Sequence, residues 1–153
     1  MIKVLFVCLG NICRSPMAEF VLKDMVEKRG MAQDFYIASA ATSTEEIGNP
    51  VHHGTRRKLA EVGISTAGKY AVQVKKSDYD KYDYLLLMDS SNLRNIHRII
   101  PSDPQKKIHL LRSAASLAGR CFSQKMPCLV SIMPKKSMKN PAKPQFYLLF
   151  YLV

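Results

Sequence analysis

A cysteine and an arginine lie at the two ends of a short loop in the run Cys8-Leu9-Gly10-Asn11-Ile12-Cys13-Arg14, and Ser15 and Pro16 follow at once. A cysteine thiolate is a strong nucleophile, and a guanidinium presents a planar fork of donors that can grip two oxygens of an oxyanion. Gly10 and Asn11 tolerate positive φ, so the chain between the two can curl and turn successive N–H groups inward as a nest for an anion. Nucleophilic attack on a bound phosphate is the chemistry that these residue types, at this spacing, are suited to.

Such a loop works only if something holds its ends. Residues 2–7 form a β-branched and aromatic run that reads as a buried strand, which puts Cys8 at a strand's carboxyl end. Ser15 reads as a capping serine and Pro16 as a first helical residue, while Ala18, Val21, Leu22 and Met25 recur at helical spacing on one apolar face. The N-terminus of that helix therefore faces the loop. Its partial positive charge and the Arg14 guanidinium would stabilise both a bound oxyanion and a thiolate at Cys8. The helix is expected to end near Arg29 and Gly30, and residues 35–41 read as a second strand, completing a βαβ unit. After it comes a turn-rich loop with Glu45, Glu46, Gly48 and Pro50, placed to wall the site. Residues 52–63 are helix-like and basic, with Leu59 and Val62 inward and Gly63 as a stop. A third strand is expected over 84–88, a third helix from Ser90 with Leu93, Ile96 and Ile100 on one face, and a fourth strand over 107–111.

Composition narrows the reading further. The 153 residues are the size of one domain. No basic leader with an apolar core opens the chain, and no apolar run approaches the about 20 residues of a membrane span, so a cytoplasmic protein without membrane association is expected. Four cysteines, Cys8, Cys13, Cys121 and Cys128, then point to reduced thiols rather than a disulfide framework, and they lack the paired spacing of a zinc site. The net charge of +11 suggests nucleic acid until it is located. All 12 acidic residues lie at or before Asp103, and the charge excess sits in the acid-free residues after it. Those lysines are not interleaved with aromatics or with glycine and arginine motifs, which argues against a nucleic-acid surface. The shift in composition divides the chain into a body, residues 1–112, and a basic tail, residues 113–153.

The loop resembles the C-x5-R-S phosphate-binding loop of the low-molecular-weight protein tyrosine phosphatases. The resemblance extends through residues 39–43, the turn 47–50, Gly63-Ile64, and residues 82–93, in the family's order. It implies an α/β fold, a doubly wound sheet of four parallel strands with the ligand crevice at the strands' carboxyl ends. It also implies hydrolysis of phosphotyrosine or small aryl phosphates, with no cofactor or metal. By the same resemblance Cys8 attacks phosphorus, Arg14 clamps two oxygens, Leu9, Gly10, Asn11, Ile12, Cys13 and Arg14 supply N–H donors, and Ser15 hydrogen-bonds the thiolate. Asn11, Ser39 and Asp89 match a polar network that holds the loop; Ser39 and Asp89 read equally well as a strand-end residue and a helix cap. Cys13 matches a loop cysteine that closes a reversible disulfide with Cys8, or is a small buried thiol. Two departures, Glu45 for a bulky aromatic and Lys69 for a frequent histidine, bear on substrate preference.

One expected part is missing. The family's general acid is an aspartate before a proline, after the fourth strand, and no acidic residue follows Asp103. Asp103-Pro104 precedes the fourth strand and most simply makes a turn. A shifted reading frame and a genuine divergent tail would both give this composition. Two other functions compete: a phosphate or phosphotyrosine binder with impaired catalysis, for which the missing acid is the warrant, and an arsenate reductase, which Cys121 and Cys128 invite.

Overall fold

A parallel strand covered on both faces reads as an unbroken apolar run, and β1 (Ile2–Cys8) is one, buried at every position from Val4 onward. It is central in the computed structural model, which describes residues 1–111. With β2 (Phe35–Ala41), β3 (Tyr84–Leu87) and β4 (Ile108–Leu110) it forms one sheet in the order β2-β1-β3-β4, all pairs parallel.

Strand side chains alternate between faces, and the alternation in β1 decides where the thiol points. Val4, Phe6 and Cys8 share one face with Met17, Val21, Leu22 and Met25 of α1 (Arg14–Glu27) and Leu59 of α2 (His53–Ala60). Leu5 and Val7 lie on the other, against Tyr79 of α3 (Asp78–Lys81) and Ile96 of α4 (Ser90–Ile99). Helices cover both faces, giving the expected doubly wound α/β arrangement. The sheet order reverses between β1 and β3, so the carboxyl end of β1 opens at a switch point, where such folds bind ligands.

Several boundaries differ from the sequence expectation. Helix α1 begins two residues early, at Arg14; its N-cap is Cys13, which makes no side-chain cap bond. Ser15 is therefore not the cap, and its hydroxyl is spent elsewhere. The second helix stops at Ala60 and closes through a turn in which Gly63 takes φ +77° and the Ile64 N–H donates to the Leu59 carbonyl. Helix α3 was not expected: four residues give no periodicity to read. It is held by Tyr79, whose hydroxyl donates to Asp103 at 2.7 Å. No helix among the described residues is long and apolar enough to cross a membrane. The expectations for residues 113–153, including Cys121 and Cys128, fall outside the described residues.

Candidate active site

The loop from Cys8 to Arg14 is shaped by its surroundings more than by its own composition. Its carbonyls are turned outward: Cys8 O accepts from Thr42 N, Leu9 O from Ser43 N, and Ile12 O from His52 N, at 2.8–2.9 Å. In a trans peptide the next N–H points opposite to the carbonyl, so the N–H groups of Gly10 and Cys13 face away from that wall. The turn is made at Asn11, which takes φ 56° while fully buried. Asparagine tolerates this left-handed region better than most side chains. Gly10 does not use positive φ; a Cβ there would lie 3.0 Å from Glu46 Cγ, so a side chain at this position would need Glu46 to shift.

Around the sulfur the donors converge. Cys8 Sγ lies 3.0 Å from Ser15 Oγ and accepts from the Asn11 N–H at 3.3 Å. Asn11 Nδ2 donates to both Ser15 Oγ, at 2.9 Å, and Ser39 Oγ, at 2.7 Å, and Asn11 Oδ1 accepts from the Val72 N–H at 3.2 Å. Ser39 Oγ donates to Glu19 Oε2 at 2.5 Å. Glu19 also receives Lys23 Nζ at 2.5 Å and Lys69 Nζ at 3.0 Å.

On the other side of the loop Arg14 Nη1 donates to Asp89 Oδ2 at 2.5 Å. Asp89 is also the N-cap of α4: its Oδ1 accepts from Asn92 N at 2.8 Å and Ser91 Oγ at 2.6 Å. Partial burial pushes the carboxyl up, but the Ser91 and Arg14 side chains and the Asn92 N–H outweigh it and hold it at about 2. Asp89 is thus an anion at neutral pH, acting as cap and arginine anchor together. Among the described residues no three His, Cys, Asp or Glu are placed to hold a metal ion.

A family model described as low molecular weight phosphotyrosine protein phosphatase matches residues 3–120. The chain belongs to that family. It is 47% identical over 96 residues to a low molecular weight protein-tyrosine-phosphatase of Bacillus subtilis, a match spanning 63% of this chain and 62% of the relative. It is 46% identical over 116 residues to the low molecular weight phosphotyrosine protein phosphatase of Schizosaccharomyces pombe, 75% and 74% of the two chains. The crystal structure of the Streptococcus pyogenes low molecular weight protein tyrosine phosphatase superposes with a TM-score of 0.68 at 43% identity, over 74% of each chain.

Within this phosphatase-family chain the fold brings together Cys8, Asn11, Ser15, Ser39, Arg14 and Asp89, distant in sequence, at one edge of the sheet. Asp103 is placed elsewhere. It accepts from Tyr79 Oη, Lys107 N and Ile108 N at the start of β4, the opposite end of the sheet from Cys8, and so holds a turn. Lys69 is paired with Glu19. Its amino group does not face the site but lies on Glu19 and on the Ser39 carbonyl, 2.9 Å away, with the side chain 13% exposed. Glu45 is exposed, on the loop that follows β2. Cys13 is partly exposed, and both described cysteines are free thiols. Glu19 escaped sequence reasoning, although an acid at i+4 from Ser15 and i−3 from Leu22, inside a buried helix stripe, was the signal available.

Proposed function

We propose that this chain hydrolyses phosphotyrosine and small aryl phosphate monoesters through a phosphocysteine. The observation supporting the reading is the pairing of Cys8 Sγ with the Ser15 hydroxyl and the Asn11 N–H, inside a loop whose last residue is Arg14. Sulfur attacks phosphorus while the P–O bond to the aryl group breaks. The Arg14 fork and the loop N–H groups neutralise the equatorial oxygens as charge moves onto them. Water then attacks phosphorus, the P–S bond breaks, and phosphate leaves with the thiolate restored. Leu9, Gly10, Ile12 and Cys13 contribute backbone, and Asp89 aims Arg14.

No proton donor for the leaving group stands beside this machinery among the described residues: Asp89 is ionised and paired, and Asp103 is at the far edge. A phenol of pKa about 10 leaves poorly without a proton, and a positioned acid contributes about 10²- to 10⁴-fold. Phosphoenzyme formation across a series of substituted phenyl phosphates is therefore expected to fall steeply as the phenol becomes less acidic, with phosphotyrosine slow. A flat dependence with fast phosphotyrosine hydrolysis would mean that another residue of the chain supplies the proton. Failure to form a phosphoenzyme even from the most acidic phenol, with phosphate still bound, would favour the binding function instead.

Cys13 N-caps α1 inside the same loop. Mild peroxide is expected to give a Cys8–Cys13 disulfide, with each sulfur giving up its proton and one electron to the peroxide, reversible by thiols. Peptide mass spectrometry checks it. Recovery of Cys8 only as sulfinic or sulfonic acid would remove Cys13 from this role.

A further inference from the structure

We propose that the cavity between α2 and residues 64–70 is a second binding site, separate from the catalytic loop, for a small anion with a flat aromatic body, an aryl carboxylate. The cavity measures about 370 Å³, a volume within the range of small-molecule sites. Its lining comes from residues 50–70 and includes none of Cys8 to Ser15, Ser39 or Asp89. Gly63, at φ +77°, turns the chain after α2, so that the helix and the residues beyond it share one concavity. Pro50, ahead of the helix, is tied to Tyr70 by an antiparallel bridge. The lining is apolar where Val51 and Ile64 meet it, 2% and 8% exposed.

The charge on this lining is unbalanced. Two cations border the cavity and, among the described residues, no acid does. Lys69 is already committed to Glu19 and to the Ser39 carbonyl. Arg56 is not: its guanidinium has no hydrogen bond or ion pair among the described residues, whereas Lys58 on the same helix pairs with Glu61. A guanidinium on an open helix surface is satisfied by water, but one beside an apolar concavity can offer its planar fork to a carboxylate whose body buries apolar surface at the same time. Other donors stand around it. The hydroxyls of Thr66 and Tyr70 have no partner among the described residues, and Ser65 Oγ accepts from the Ala67 N–H, which leaves its own proton to donate. Tyr70, 57% exposed, adds a ring face on which a flat ligand can stack.

Calorimetric titration of the full chain with 2-naphthoate tests the site. One-to-one binding with a Kd of about 1 mM is expected, the affinity usual for a ligand of that size. The neutral isostere 2-naphthamide should bind at least about tenfold more weakly, because a hydrogen bond to a charged group contributes that much. Arg56→Met should cost the carboxylate the same factor and leave the amide unchanged, and Tyr70→Ala should weaken both alike. Arg14→Met, which removes the fork of the catalytic loop instead, should leave 2-naphthoate binding native. No saturable binding by the native chain would overturn the proposal, and so would equal affinity for the acid and the amide, a comparison that needs no variant to fold. Native affinity in a folded Arg56→Met protein, or loss of binding in Arg14→Met, would overturn it too, the latter by placing the ligand in the catalytic loop. None of these measurements uses turnover, so a failed phosphatase reading leaves their outcomes untouched.

Discussion

Cys8→Ser is expected to lose turnover by at least about 10⁴-fold while keeping affinity for phosphate within a few fold. Removing a covalent nucleophile costs that much or more in enzymes that depend on one, because an alcohol held by hydrogen bonds is not ionised near neutral pH. Binding should survive for a structural reason. The loop is held by its outward carbonyls on Thr42, Ser43 and His52 and by the Asn11 side chain on Val72 and Ser39, none of which passes through sulfur. Among the described residues only the contacts of Asn11 N and Ser15 Oγ reach Sγ, and a serine oxygen can take both. Single-turnover kinetics with an activated aryl phosphate and calorimetric titration with phosphate make the comparison. Retained turnover, or loss of phosphate binding in a folded variant, would contradict the assignment.

Arg14→Lys is expected to lower kcat/KM by about 10²- to 10³-fold and to weaken phosphate binding with it, the scale found when one preorganised oxyanion donor is removed. One nitrogen of Arg14 is already on Asp89, and the rest of the planar fork remains for an oxyanion. A lysine ammonium is a point charge and cannot hold the Asp89 carboxylate and two phosphate oxygens in one plane. The fold should hardly notice. The Arg14–Asp89 pair is about one third exposed, and exposed pairs contribute at most about 1 kcal/mol. An unchanged melting temperature would separate lost chemistry from lost structure, and tight phosphate binding by the lysine variant would count against the assigned geometry.

What could be read from sequence follows from range. The run around β1 and the periodicity of α1 are local signals, strong enough to place Cys8 at a strand end facing a helix N-terminus. Strand β2 was expected at 35–41 and is found at Phe35–Ala41. Asn11, Ser15, Ser39 and Asp89 could be named, because the family resemblance supplies long-range partners that periodicity cannot. Who donates to whom could not be named. Glu19 was given no role, and Lys69 was noted only as standing where the family often has a histidine; only the folded chain puts the two together, 50 residues apart in sequence. Ser15 was misread as a cap because helix-start serines usually cap, and here the tertiary network claims the hydroxyl. Asp103 shows the reverse case: its turn chemistry was legible, and the structure places the turn far from the thiol.

The contacts that shape the loop span 28 residues to Ser39, 61 to Val72 and 75 to Asp89. Closing so many distant pairs is slow compared with forming α1, so the loop takes its shape late in folding. During synthesis Cys8 and Arg14 emerge before Asp89, so Arg14 has no anchor until Asp89 has been added and β3 has docked beside β1. Until then the emerging chain carries a thiol that the loop does not yet aim.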